Sequence, residues 1–134
     1  MPHDFIEHTG ELELRLRAPT VAELFAEAGR AIAELMLGDG AAGPETAHQP
    51  VTVTARDRAA LLVAWIDELV YRAETEGAVF TRFDVASVGE TELRATLHGA
   101  RPAAFQNPIK AATYHRLRVD AEDGGYVATV VLDV

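Results

Sequence analysis

The residues of this chain best placed to do chemistry together are its last two. An apolar, strand-like run, Val127-Ala128-Thr129-Val130-Val131-Leu132, ends in Asp133-Val134. A terminus ordered within a strand would set the Val134 main-chain carboxylate beside the Asp133 side chain. Two anionic oxygen groups within one residue invite a hard cation or a basic partner. The rest of the chemical inventory is sparse. No phosphate-cradling Gly-rich loop, Ser nucleophile elbow, His-x-x-x-His helix or zinc-type spacing occurs. His3, His8, His48, His98 and His115 are scattered over different segments. The pattern places His98 on the polar side of a strand and His48 in a loop, both as ordinary surface groups, so catalysis by a lone histidine is not expected.

Composition narrows the function classes further. The 134 residues suit one domain, 1–134, and the absence of cysteine excludes disulfides and thiolate metal sites. Twenty-one acidic against twelve basic side chains give a net charge of −9. That charge repels a phosphate backbone, so stable direct binding of nucleic acid is not expected and a basic macromolecular partner is. No apolar run approaches the ~18 residues of a membrane span, and Met1-Pro2-His3-Asp4 lacks the features of a secretory signal. A cytoplasmic address without membrane partners is the expectation.

The elements that must position the terminal pair follow from periodicity. Leu12, Leu14, Leu16 and Ala18 alternate with charged residues, as a half-buried strand requires. Pro19 halts it, and Thr20-Val21-Ala22-Glu23 reads as a capping box opening a helix. Val21, Leu24, Phe25, Ala28, Ile32, Leu35 and Met36 form its apolar stripe, which stops at Gly38. A loop from Gly38 to Pro44 leads to a short strand, Val51 to Thr54. Asp57 then caps a second helix, whose stripe of Leu61, Leu62, Trp65, Ile66, Leu69 and Val70 marks it as the centrepiece of the fold. Asp67, Glu68, Arg72, Glu74 and Glu76 are assigned to its solvated face. Beyond Gly77 the period changes to two, over Val79 to Val85, Leu93 to Leu97, Thr113 to Val119 and Tyr126 to Val134, with a hairpin turn at Glu122-Asp123-Gly124-Gly125. The order β-α-β-α-β-β-β-β predicts an α+β fold, two amphipathic helices packed on antiparallel sheet.

Three segments carry more than amphipathic pattern: Glu7-His8-Thr9-Gly10-Glu11, Ile109-Lys110-Ala111-Ala112-Thr113-Tyr114-His115, and Leu132-Asp133-Val134. With the helix core Leu61 to Leu69 and the following Glu74-Thr75-Glu76, they resemble the archease family, in order and over nearly the whole chain. The resemblance implies an activator, not itself an enzyme, of the GTP-dependent RNA ligase that joins 3′-phosphate and 5′-hydroxyl ends in tRNA splicing and RNA repair. It would promote guanylylation and repeated turnover of that ligase. The resemblance also implies a divalent-cation site at Glu11, Asp133 and Val134, for Ca2+ first, with Mg2+ or Mn2+ as alternatives. Gly10 and Glu11 stand where the family usually has Ala and Asp, and the longer carboxylate suits the flexible shell of calcium better than that of magnesium. Lys110 would reach a phosphate or an acidic group of the ligase, or else guard a strand edge. Tyr114 and His115 would touch the partner or anchor their strand, and His8 and Thr9 would shape the turn that presents Glu11. The rival expectation is a ligase-independent chaperone or adaptor; a small metal-dependent hydrolase ranks below it.

Overall fold

The alternation at Leu12 to Ala18 becomes a strand, β2 (Glu11–Ala18), in the computed structural model, which describes residues 2–134. Leu14, Leu16 and Ala18 are buried, while Arg15 and Arg17 on the other face are exposed. Ahead of it the structure adds a strand that the periodicity did not announce, β1 (His3–His8), paired antiparallel with β2. Of its residues Phe5 packs on the core, so the run shows little alternation.

Thr20 caps α1 (Val21–Leu37) by accepting from the Glu23 N–H at 3.1 Å, the first half of the capping box. Asp57 likewise caps α2 (Arg58–Glu76), accepting from the Ala60 N–H at 2.8 Å, and Gly77 ends it at φ 65° in the left-handed region. Between the helices runs β3 (Ala47–Thr54), and after α2 come β4 (Val79–Val88), β5 (Glu92–Ala100), β6 (Ala111–Glu122) and β7 (Gly125–Asp133). The fold is therefore α+β, with two helices and seven strands among the described residues, the strands forming two antiparallel sheets, one ordered β1-β2-β7-β6 and the other β3-β5-β4.

β3 begins four residues before the expected strand and carries His48 out of the loop to which the pattern assigned it. Pro50 disguised this, since proline removes a ladder donor. It is tolerated here because β3 is an edge strand.

Both helices lie against both sheets: α1 packs on β2 and β7 of one and β4 of the other, and α2 on β6 and on β3 and β4. The more enclosed is α1, with Leu24 to Gly29 buried without a break, so the centre of the fold is α1 rather than α2. The contribution of α2 is Trp65, fully buried, whose indole N–H donates to the Phe25 carbonyl at 2.9 Å and whose ring meets Phe83 edge-on at 5.8 Å. Gly29 makes room for the Phe83 ring, because a Cβ there would lie 2.6 Å from it.

Candidate functional site

Thr9 and Gly10 form the two-residue turn between β1 and β2, with Gly10 at φ 73°, and β2 starts immediately after it at Glu11. The register of the four-stranded sheet then decides the site. Glu11 pairs with Asp133, and Asp133 pairs with Ala111 on its other side. Directly opposed residues of an antiparallel pair project to the same face with Cβ atoms about 4.5–5.5 Å apart. That face is the one opposite Leu12, Leu14 and Leu16, so the two carboxylates stand together on the outer surface at one end of the central strands. The chain end is held there by main-chain bonds: the Lys110 N–H donates to the Asp133 carbonyl at 2.8 Å and the Val134 N–H to the Gly10 carbonyl at 3.3 Å. Glu11, Asp133 and the main chain of Val134 thus share one corner. Their donor atoms are all oxygen, a set that fits a hard divalent cation better than a soft one.

A positive charge of the protein's own already leans over this corner. The pairing of β6 with β7 runs to Thr113–Val131 and resumes at Arg118–Thr129, so residues 114–117 bulge opposite the single residue Val130. Within the bulge Arg116 has φ 54°, the one non-glycine residue at positive φ among those described. Its guanidinium comes to 3.3 Å from Glu13 and 4.0 Å from Glu11. Glu13 is only 4% exposed although it lies on the outer face. The Arg15 hydrogen bond, at 2.7 Å, holds the Glu13 carboxyl below its ordinary range against the opposing effect of burial, helped by the charges of Arg15, Arg116 and His8. The sequence offered no sign of Arg116, whose alternation with Leu117 reads as an ordinary solvent-facing strand position.

The other expected residues are distributed more widely. His8 pairs with Glu11 and brings its ring to 3.9 Å from Glu13. Lys110 is exposed and lines a shallow cavity of about 580 Å³ with Ala73, Glu74, Phe105, Asn107 and Ile109, on the α2 side of the sheet. Tyr114 is 57% exposed and lies under the Arg56 guanidinium, 5.3 Å from the ring centre, while His115 is exposed on the bulge. The corner therefore gathers His8, Thr9, Glu11, Asp133 and Val134, and the bulge carries Tyr114 and His115 separately.

Asp67 is a correction to the helix reading. It is not on the solvated face of α2 but accepts from the Ala112 N–H at 3.0 Å, tying the helix to β6 one residue beyond Ala111. Burial pushes its carboxyl up, and that hydrogen bond pulls it partly back.

Among the described residues, the three side chains whose metal-ligating atoms converge are elsewhere: Glu45, His48 and His98, with one atom from each within 4.8 Å of the others. No described helix is long and apolar enough to cross a membrane.

Known proteins with this architecture are readily found. The solution structure of Methanobacterium thermoautotrophicum protein 1598 superposes with a TM-score of 0.77 at 25% identity, covering 99% of each chain. The crystal structure of an archease, described as a possible chaperone, from Thermotoga maritima superposes at 0.70 with 21% identity, covering 96% of this chain and 94% of that one. Protein archease of Methanosarcina mazei is 31% identical over 140 residues, covering 98% of this chain and 95% of its own, and that of Methanopyrus kandleri is 31% identical over 141 residues and covers both in full. The Archease protein family (MTH1598/TM1083) matches residues 3–134, a span that includes the paired Glu11 and Asp133 as well as the Lys110 to His115 segment. With a family match over residues 3–134 and relatives 31% identical that cover 98% or more of the sequence, the chain belongs to the archease family.

Proposed function

We propose that this archease is an accessory protein of a GTP-dependent RNA ligase that joins 3′-phosphate and 5′-hydroxyl ends, and that it promotes guanylylation of the ligase through the corner built by Glu11, Asp133 and Val134. The observation that carries the reading is the direct opposition of Glu11 and Asp133 on β2 and β7, with Val134 hydrogen-bonded to Gly10 beside them. Glu11, Asp133 and a main-chain oxygen of Val134 would hold a divalent cation, Ca2+ most readily, and the ion would supply a concentrated positive charge near phosphate. A net charge of −9 suits docking on a partner surface that is basic because it holds RNA and GTP. Lys110 and the exposed bulge residues Tyr114 and His115 would supply the surrounding contacts.

The test is ligase guanylylation with GTP and divalent ion, the ligase being present in substoichiometric amount. Wild-type protein is expected to raise turnover without being consumed. Asp133→Ala should abolish the stimulation while leaving the melting temperature nearly unchanged, because Asp133 is exposed. Full stimulation by Asp133→Ala would remove the corner from the mechanism, and no stimulation by the wild type would remove the ligase.

A chaperone role is the second reading, prompted by the description of the Thermotoga maritima relative as a possible chaperone. The described surface gives it little to work with: its exposed large hydrophobic residues are Tyr71 and Tyr114, too few for a client-binding apolar patch. Capture of unfolded proteins without any effect on guanylylation would favour it.

A further inference from the structure

We propose that Glu45, His48 and His98 form a second cation site, independent of the corner, for a divalent transition ion such as Zn2+, with Asp84 orienting one of its ligands. His48 and His98 are fifty residues apart in sequence but directly opposed on β3 and β5. Their ring centres are 5.0 Å apart and their Nδ1 atoms 2.7 Å apart, on the side of the three-stranded sheet that carries the exposed Arg82. Glu45 arrives from the loop before β3, which is pinned by the Thr46 N–H donating to the Gly99 carbonyl at 2.9 Å. Two hydrogen bonds from the Arg82 guanidinium, each 2.9 Å, hold the Glu45 carboxylate over the sheet.

The hydrogen bonding of His98 prepares it as a ligand. Its Nε2 lies 2.7 Å from the Asp84 carboxylate, which can only accept, so the proton resides on Nε2 and the Nδ1 lone pair is free. Metal-bound imidazoles are usually fixed in this way, the second ring nitrogen donating to a carboxylate. Without an ion, His48 satisfies that lone pair by donating from its own Nδ1. Moving the His48 proton to Nε2 would release a second lone pair pointed at the same space. Two nitrogens bound tetrahedrally at about 2.0–2.1 Å stand roughly 3.3 Å apart, so the rings need to part by about 0.6 Å. His48 is exposed and can make that adjustment, whereas His98, with 12% of its side chain exposed, is the fixed partner.

Two imidazoles and one carboxylate select a borderline transition cation over Ca2+ or Mg2+. The exposure of the cluster leaves the remaining coordination positions to water. The ion would link the sheet to the loop after α1, a connection otherwise made by Arg82 and the Thr46 main chain.

Calorimetric titration of the full chain with ZnCl2 near pH 7.5, with the visible spectrum of the Co2+ form as a signature of nitrogen ligation, tests this. One Zn2+ is expected at this site. Loss of at least 100-fold in affinity is expected for His48→Ala and for His98→Ala, and 10- to 100-fold for Asp84→Asn. The double variant Glu11→Gln/Asp133→Asn should bind as the wild type does. His48→Ala alters an exposed side chain, so its loss of binding cannot be ascribed to misfolding. No Zn2+ binding by the wild type, unchanged affinity in both histidine variants, or loss only in the Glu11/Asp133 double variant would each overturn the assignment.

Discussion

Arg116→Ala should tighten the binding of Ca2+ at the Glu11–Asp133 corner. The guanidinium lies 4.0 Å from Glu11 and 3.3 Å from Glu13, where an incoming cation meets like charge. Two unit charges 4 Å apart interact by about 4 kcal/mol at an effective dielectric of 20 and by about 1 kcal/mol in water. Arg116 and Glu11 are 47% and 43% exposed, so the watery end of that range applies, and one exposed pair is worth about 0.2–1 kcal/mol. Doubling the charge of the intruding ion gives about 1 kcal/mol of repulsion, or roughly a fivefold gain in affinity once Arg116 is removed. Glu13 would keep the Arg15 hydrogen bond at 2.7 Å, so the sheet should survive. Arg116→Gly separates the electrostatic effect from the backbone effect. It should match Arg116→Ala in affinity but be more stable by about 1 kcal/mol, because glycine adopts φ 54° without the clash of a Cβ. Calorimetric Ca2+ titration at low and high salt, with urea denaturation of both variants, reads all three quantities, and the affinity gain should shrink as salt rises. Weaker or unchanged Ca2+ binding in both variants at low salt would refute the reasoning, showing that the arginine does not compete for this corner.

Two further outcomes concern pH. His3 links β1 to α1 through Glu27 and Glu34; burial acts to lower its pKa, but the hydrogen bonds and charges of the two carboxylates outweigh it and raise it. A raised histidine contributes stability that is full below its unfolded value, about 6.5, and is lost as pH climbs through the folded value. His3→Gln should therefore cost more stability at pH 6 than at pH 9 in urea titrations, and an equal cost at both would contradict the linkage. Asp67 has the same sign for a different reason, since burial raises it despite the Ala112 N–H. Its contribution is full below the unfolded carboxyl range and is lost as pH rises through the folded value, so charge burial penalises the protein near neutrality. Asp67→Asn keeps an acceptor for Ala112 and should gain stability relative to wild type on going from pH 3.5 to pH 7, measured the same way.

Local chemistry was readable and long-range register was not. Thr20 and Asp57 announced their helices because a cap involves only neighbours three residues away, and Asp123-Gly124 announced the last hairpin for the same reason. The α+β class followed from where the period changes from 3.6 to 2. By contrast, nothing local states that residue 11 meets residue 133. The sequence marked Asp133 and Val134 by their position and Glu11 through resemblance alone, and their opposition is set by which strands neighbour one another. His48 and His98 escaped notice because each looked ordinary alone and Pro50 hid the strand that carries His48. The bulge at 114–117 was invisible because Arg116, Leu117, Arg118 and Val119 alternate as a regular strand would. Asp67 was misplaced because a helical wheel cannot know that an unpaired amide waits at the adjacent strand.

The position of β7 between β2 and β6 bears on how the protein comes into being. During synthesis on the ribosome, the segment that joins the two halves of this sheet leaves the exit tunnel after all its neighbours. Until then β1 and β2 make a two-stranded ribbon, too small to be stable alone, and β6 has no partner. Assembly must wait for a pairing that spans more than a hundred residues, the kind of distant contact that slows folding. The corner where Glu11 meets Asp133 is thus a late product of maturation, absent from any nascent chain that stalls before β7.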